Sequence, residues 1–225
     1  RAMISTIIDR ADPLAARSRA KREARRRLIV QGTFALLFML LIEGSLRKWF
    51  LPGYSGALTL MRDPLAIALY IYAFRCGFVW QRGYAGLWLF LAILTSMIGL
   101  LQYMINGLGF TGWLLGLRTY WMYMPLGLVV AATYTRQDVD RLFRFVLITS
   151  IPYAVLVAMQ YTAGPSAAIN WGVAGDNEGA ITLGDGLVRP FGLFAYTAPN
   201  VLYTAFTFAV FIAYYLTHGH KWKQK

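Results

Sequence analysis

The chain has 225 residues, of which 58% are hydrophobic and 14% are charged, and its formal net charge is +12. A soluble domain of this size needs a larger charged surface, because about a quarter of the residues in soluble proteins are Asp, Glu, Lys or Arg. The composition therefore excludes an ordinary soluble domain and predicts an integral membrane protein.

Six apolar runs are long enough to cross a bilayer, which takes about 20 residues of helix. They predict an all-α fold, a polytopic transmembrane helical bundle with spans at residues 28–44, 57–75, 85–104, 112–133, 142–162 and 199–217. The first five spans are joined by short connections and predict a five-helix membrane region over residues 28–162. A longer connection, residues 163–198, precedes the sixth membrane helix.

Basic residues are distributed unevenly around these spans. Nine of the 22 Lys and Arg precede residue 28, and alternating loops place 17 of the 22 on one side. Because cytoplasmic loops carry an excess of Lys and Arg, the basic N-terminal segment (1–27) and the basic tail (218–225) are both predicted to be cytoplasmic. This N-in/C-in topology makes residues 163–198 one larger periplasmic loop. The basic excess thus indicates topology and not binding of nucleic acid.

Two further features limit the possible chemistry. The chain begins with Arg and stops shortly after a helix and a basic tail, which predicts an N-terminal fragment of a longer polypeptide. Cys76 is the single cysteine, and His218 and His220 have no third ligand nearby in the sequence. No metal site and no cofactor are therefore predicted.

The charges on the predicted outer side are the most informative. Five basic residues fall where few are expected, namely Arg47, Lys48, Arg62, Arg118 and Arg189. The nearby carboxylates are Glu43 and Asp63, and Arg62 could pair with either; Arg62 and Asp63 are predicted about one and a half turns inside the second helix. Since Arg binds phosphate through two parallel hydrogen bonds, the surplus predicts a bound anion. A lipid-linked diphosphate is the natural candidate, and ordinary phospholipid headgroups are the alternative.

The periplasmic loop returns to the membrane through "RPFGLFAYTAPN", residues 189–200. Gly192 permits close approach of the backbone to a neighbour. Phe194 and Tyr196 offer aromatic faces either to a sugar or to the membrane interface.

This segment resembles the Arg-x-x-Gly-x-Phe segment, followed by Pro-Asn, of the bacterial O-antigen ligase and polymerase superfamily. "EGSLRKWFLPG", "MRDPLAIALY" and "LRTYWMYMPLGLV" resemble segments of its exopolysaccharide-polymerase members. The resemblance implies a multi-pass glycosyltransferase of the bacterial inner membrane. Such an enzyme polymerises or ligates glycan units carried on undecaprenyl diphosphate, on the periplasmic side and without a metal. The resemblance also implies a diphosphate-binding role for Arg189.

In the predicted site, the diphosphate is bound by Arg47, Lys48, Arg62, Arg118 and Arg189. Of these, Arg189, Arg118 and Arg62 neutralise it as the leaving group. Glu43 or Asp63 acts as general base or only as a salt-bridge partner. Phe194 and Tyr196 contact the sugar. Further acidic candidates, as base or sugar ligand, are Asp176, Glu178 and Asp185.

The expected partners are the undecaprenyl-diphosphate-linked glycan, membrane lipids and other polysaccharide assembly proteins. Two alternatives remain open at this point. One is a transporter or flippase for a lipid-linked or anionic solute, which would use the same basic cavity without bond chemistry. The other is a non-catalytic subunit of a polysaccharide assembly complex.

Overall fold

The structure is a computed structural model that describes residues 13–78, 82–105, 107, 109–173, 182–183 and 185–222. Its regular elements in these residues are all helical, which confirms the predicted all-α class. Six stretches are long and apolar enough to span a membrane, as expected of a multi-pass membrane protein. They are Pro13–Phe50, Pro52–Arg75, Tyr84–Ile105, Phe110–Thr133, Arg136–Thr162 and Thr197–His218.

The α-helices, in chain order, are α1 (Pro13–Ser45), α2 (Ser55–Leu58), α3 (Asp63–Arg75), α4 (Arg82–Ile105), α5 (Phe110–Arg118), α6 (Leu126–Thr133), α7 (Arg136–Thr162) and α8 (Thr197–Trp222). Short irregular helices join some of them. Two have π geometry, Leu46–Phe50 and Thr119–Tyr123, and two are 3-10 turns, Pro52–Tyr54 and Ala168–Asn170.

Helix α1 runs without a break from the basic segment into the first apolar run. Neither Gly nor Pro occurs in residues 14–31, and Ala, Leu and Arg are strong helix formers. Glu23 supports this stretch through ion pairs one turn away, at 2.8 Å to Arg26 and 3.0 Å to Arg27. The boundary at residue 28, between the basic segment and the first apolar run, is therefore a change of polarity within one helix.

The chain forms two compact units. The first comprises Arg1–Thr33 and Pro64–Tyr134, as far as these ranges are described. Its core brings together Ile29, Ala73 and Val129, which come from α1, α3 and α6 and are at most 2% exposed.

The second unit comprises Phe34–Asp63 and Thr135–Lys225, again within the described ranges. Its core cluster packs α1 against α7, α8 and the chain that precedes α8, through Leu41, Tyr153, Phe194 and Tyr203. Helix α7 starts with a capping box, in which Thr135 and Asp138 satisfy backbone groups at its first turn.

The second candidate span differs from the predicted one in its first part. Residues 59–62 form turns, so regular helix begins only at Asp63. Pro64, which follows, suits the first turn of a helix because it has no N–H group to leave unbonded there. Arg62 therefore lies in the turn before α3 and Asp63 is its first residue, instead of one and a half turns inside it. An acidic residue at this position interacts favourably with the helix dipole.

The described end of the long connection contains a small reversal of the chain. Thr182 and Val188 form an antiparallel bridge, and Leu183 donates its N–H to the carbonyl of Leu187 at 2.8 Å. Asp185, with φ of 50°, lies in the turn between them. This turn leads directly into the segment that carries Arg189.

Candidate functional site

The candidate site lies in the second unit, and Glu43 is the centre of its charges. Its buried carboxylate lies near the end of α1, where one oxygen is 3.4 Å from Arg47 and the other is 2.6 Å from Arg62. The contact with Arg62 is a close charge contact rather than an aligned hydrogen bond. Arg47 also donates to the hydroxyl of Ser55 at 3.1 Å. The prediction that Arg62 could pair with Glu43 is confirmed, and both oxygens of Glu43 face guanidinium groups.

Lys48 contacts the protein's own backbone. Its side chain is 1% exposed, and its ammonium group donates to the carbonyl oxygen of Gly192 at 2.7 Å. The same group lies 4.3 Å from the ring centre of Trp49 and 4.1 Å from that of Phe191, which are distances of cation–π interaction. In this structure Lys48 has a structural role, which differs from the predicted role in diphosphate binding.

Lys48 thereby helps to fix residues 189–194, which we call the docked segment. This segment is not helical, so its backbone polar groups need partners from side chains. Gln160, which is fully buried, accepts from the N–H of Gly192 at 2.7 Å and donates to its carbonyl at 3.1 Å. Asn200 donates to the carbonyl of Pro190 at 2.7 Å and accepts from the hydroxyl of Tyr153. Side chains from three helices therefore hold the docked segment.

Two glycines make this docking possible. Gly192 has φ of 59°, and a Cβ atom there would lie 2.7 Å from ring carbons of Tyr153. Gly44 in α1 faces the backbone of Leu193 and Phe194, and a Cβ atom there would come within 2.7 Å of the Phe194 Cα. The predicted close approach at Gly192 is confirmed, and Gly44 provides a second one.

The two aromatic residues predicted to bind sugar have different environments. Phe194 is 5% exposed, and its ring centre lies 6.1 Å from that of Tyr153 and 5.6 Å from that of Tyr203. Phe194 is thus a core residue and does not present a face to a sugar in this structure. Tyr196, by contrast, is 63% exposed.

Arg189 is the exposed cation of this region. It lies between Val188, which is fully buried, and Pro190, whose carbonyl is held by Asn200. Among the residues that the structure describes, no carboxylate forms an ion pair with Arg189. Its neighbours on both sides are fixed, so the start of its side chain is fixed while its guanidinium remains accessible.

An apolar cavity of about 550 Å³ lies between α7 and α8, and Pro190 forms part of its wall. The other walls include Tyr153, Val157, Phe208 and Phe211. Pro190 directly follows Arg189, so a cationic group and an apolar cavity occur on adjacent residues of the docked segment.

The remaining predicted residues are Arg118, Asp185, Asp176 and Glu178. Arg118 belongs to the first unit, where it ends α5 and donates to the hydroxyl of Tyr123 at 3.0 Å. Asp185 lies in the turn of the described loop. Asp176 and Glu178 lie outside the described residues. Within the described part of the chain, no group of three His, Cys, Asp or Glu is arranged to hold a metal ion.

Sequence reasoning missed the side chains that hold the docked segment, chiefly Gln160, Asn200 and Tyr153. A signal was available for Gln160, because it is a polar residue within an otherwise apolar span and such residues are costly in a membrane. Asn170 is a further buried polar residue that sequence reasoning missed, and it supports the end of α7 rather than the docked segment itself. Its side chain is buried and donates to the carbonyls of Gln160 and Gly164, at 2.9 and 2.7 Å.

Comparison of the chain with protein-family models, with curated proteins and with solved structures finds no match. We therefore infer the function from the residues themselves and from the resemblance of the sequence motifs.

Proposed function

We propose that the chain forms part of a bacterial inner-membrane glycosyltransferase that polymerises or ligates glycan units carried on undecaprenyl diphosphate. In the proposed N-in/C-in topology, the docked segment lies at the periplasmic side. The observation that supports this proposal best is the exposed Arg189 on a segment that buried side chains fix in place.

Charge supports the choice of an anionic ligand. The predicted site residues of the second unit comprise four cations, Arg47, Lys48, Arg62 and Arg189, and two carboxylates, Glu43 and Asp63. Glu43 is shared between Arg47 and Arg62, and Lys48 is used by the docked segment. Arg189 is the member of the group best placed to meet a phosphate, because its guanidinium is accessible.

The cavity between α7 and α8 supports a ligand with an apolar chain. A lipid-linked diphosphate combines a prenyl chain with two phosphates, and these parts match the cavity at Pro190 and the cation at Arg189. Arg189 and Pro190 are consecutive residues of the docked segment, so we assign the two parts of one ligand to them.

In the proposed reaction, an acceptor hydroxyl attacks the anomeric carbon of the lipid-linked glycan. A new C–O bond forms, the bond between the anomeric carbon and the phosphate oxygen breaks, and lipid diphosphate leaves with the bonding electrons. Arg189 stabilises the negative charge that develops on the leaving phosphate. The proton of the acceptor hydroxyl passes to a carboxylate base, for which Glu43 and Asp63 are the candidates.

The test is polymer formation from a lipid-diphosphate glycan by the full natural gene product, reconstituted in liposomes. Arg189→Gln is expected to lower the rate by about 100-fold or more, which is typical when a donor to developing charge is removed. Arg189→Lys keeps the charge but loses the paired hydrogen bonds, so it is expected to recover part of the rate.

The matched control is Arg144→Gln, which removes one exposed positive charge at the opposite predicted side. It is expected to leave the rate unchanged. Full activity of Arg189→Gln would refute the proposal. If the reconstituted protein moved the lipid-linked glycan across the bilayer without forming polymer, the transporter alternative would replace it.

A further inference from the structure

The first unit contains an apolar cavity of about 740 Å³. This volume lies within the range of about 300–1,000 Å³ that is typical of sites for small ligands. Aromatic side chains form much of its wall, including Tyr70, Phe74, Phe78, Trp88 and Trp121. The cavity is thus large enough and apolar enough to hold part of a lipid chain.

The aromatic walls present ring carbon to the cavity, because their polar groups are bonded to the protein. The three bonds are Tyr70 hydroxyl to the Met122 carbonyl at 2.7 Å, Trp88 Nε1 to the Tyr120 carbonyl at 2.9 Å, and Trp121 Nε1 to the Ser96 hydroxyl at 2.8 Å. A polar ligand would find few partners along these walls, whereas a hydrocarbon chain needs none.

Two arginines lie beside this cavity. Arg75, the last residue of α3, is exposed and forms part of the cavity wall. Arg22 on α1 is also exposed, and its guanidinium lies 5.9 Å from the ring centre of Phe78, another wall residue. In the described ranges neither arginine has an ion pair with a carboxylate. Positive charge is therefore available next to the apolar cavity.

We propose that this cavity binds one acyl chain of an anionic glycerophospholipid, whose phosphate is held by Arg22 and Arg75. The two parts of such a lipid match the two parts of the site, hydrocarbon against the aromatic walls and phosphate against the guanidinium groups. Basic pockets between membrane helices bind anionic headgroups in this way. A zwitterionic lipid has the same phosphate, but its ammonium group would be repelled by the arginines. The site consists of residues of the first unit and does not depend on the proposed glycosyltransferase activity.

The experiment measures which lipid the protein retains. The full natural gene product is placed in nanodiscs of equal parts dioleoyl phosphatidylglycerol and dioleoyl phosphatidylcholine and is then extracted into a neutral detergent. Mass spectrometry of the extracted protein counts the bound lipids. The wild-type protein is expected to retain phosphatidylglycerol in preference to phosphatidylcholine.

The double variant Arg22→Gln/Arg75→Gln is expected to lower this preference by about 25-fold, since each basic residue contributes roughly fivefold to binding of an anionic lipid. The matched control is Arg136→Gln/Arg144→Gln, which removes two exposed arginines of the second unit. It is expected to keep the preference. Equal losses in both double variants would overturn the proposal, because net charge alone would then explain the retention.

A third variant tests the acyl chain. Ala85 lies in the cavity wall, and Ala85→Phe is expected to fill part of the space. Because it obstructs the chain and not the headgroup, retention of phosphatidylglycerol should fall at least tenfold while the arginines remain. Unchanged retention in a stably inserted Ala85→Phe protein would overturn the assignment of the cavity. Should that variant fail to insert, the arginine pair and its control still decide the proposal.

Discussion

The two units each combine an apolar cavity with arginine, but they hold the arginine differently. In the second unit, Arg189 lies on non-helical backbone that Lys48, Gln160 and Asn200 fix through hydrogen bonds. In the first unit, Arg22 and Arg75 project from regular helices whose backbone needs no side-chain support.

The fixed arginine of the second unit and the helix-borne arginines of the first unit suit two different kinds of ligand. A transferred group requires its stabilising charge at a fixed point, because the charge of a transition state develops on a particular atom. A lipid headgroup tolerates more freedom, and exposed side chains on regular helices meet that need without buried polar groups. We therefore expect substitutions of the residues that hold the docked segment in place to cost stability, and substitutions of the exposed arginines in either unit to cost almost none.

The largest effect is expected for Gly192→Ala. The left-handed backbone at this position disfavours a side chain, and the added methyl group would collide with Tyr153. Together these effects should lower the free energy of unfolding by about 3–4 kcal/mol, measured by reversible denaturation in mixed micelles. Gly186→Ala is the matched control, because Gly186 also has positive φ but its Cβ would meet open space. Gly186→Ala should lower the free energy of unfolding by only about 1–2 kcal/mol. Equal losses for the two variants would contradict close packing of Gly192 against Tyr153.

A smaller loss is expected for Glu43→Gln, which removes the buried carboxylate shared by Arg47 and Arg62. Leaving these partly buried guanidinium groups without their counter-charge should cost about 2–3 kcal/mol. Glu23→Gln in the first unit is a close comparison, because Glu23 also pairs with two arginines but is partly exposed. Its cost should stay below about 1 kcal/mol. Denaturation of both variants under the same conditions measures the difference between their free energies of unfolding. Equal losses would show that the burial of Glu43 does not make its ion pairs stronger than those of Glu23.

Gln160→Leu is expected to cost about 2 kcal/mol, because the buried N–H of Gly192 and the carbonyl of Ile169 would lose their partner. The same change at Gln137, an exposed residue of the same helix, should alter stability by less than about 0.5 kcal/mol. Amide hydrogen exchange provides a direct readout, since the N–H of Gly192 should exchange faster in Gln160→Leu. Unchanged protection at Gly192 would argue against the role of Gln160.

The smallest effect on stability is expected for Arg75→Gln and Arg189→Gln. Both side chains are exposed and lack ion pairs in the described part of the chain, so the unfolding midpoint should not change measurably. Thermal denaturation of the purified variants measures this directly. A shift as large as that of Glu43→Gln would mean that these arginines support the fold, which would weaken both binding proposals.

Much of the architecture could be predicted from the sequence. The predicted apolar runs correspond to the six candidate spans because helix in a membrane follows local composition. Two of the predicted spans are not continuous α-helix. Residues 59–62 form turns before Pro64, and the fourth span is divided by the π-helix Thr119–Tyr123 and a turn at residues 124–125. The hydrophobicity of a segment indicates whether it lies in the membrane. Its backbone geometry also depends on its contacts with neighbouring segments.

The candidate site was predictable in its charges but not in their roles. The sequence pointed to Glu43, Lys48, Arg62 and Arg189 as an unusual group, and the structure confirms the contact between Glu43 and Arg62. The sequence could not show that Lys48 supports Gly192 or that Phe194 is a core residue.

The sequence by itself determined the class of the protein, the positions of its apolar helices and the uneven distribution of its basic residues. These properties depend on the free energy of transferring short stretches of chain between water and lipid. The tertiary structure alone decided which cation is buried and which is exposed. Lys48 and Gly192 are 144 residues apart in the chain, and their contact forms only where α1 packs against the docked segment. The stability of a buried charge depends on the partner that reaches it, and local composition does not specify that partner.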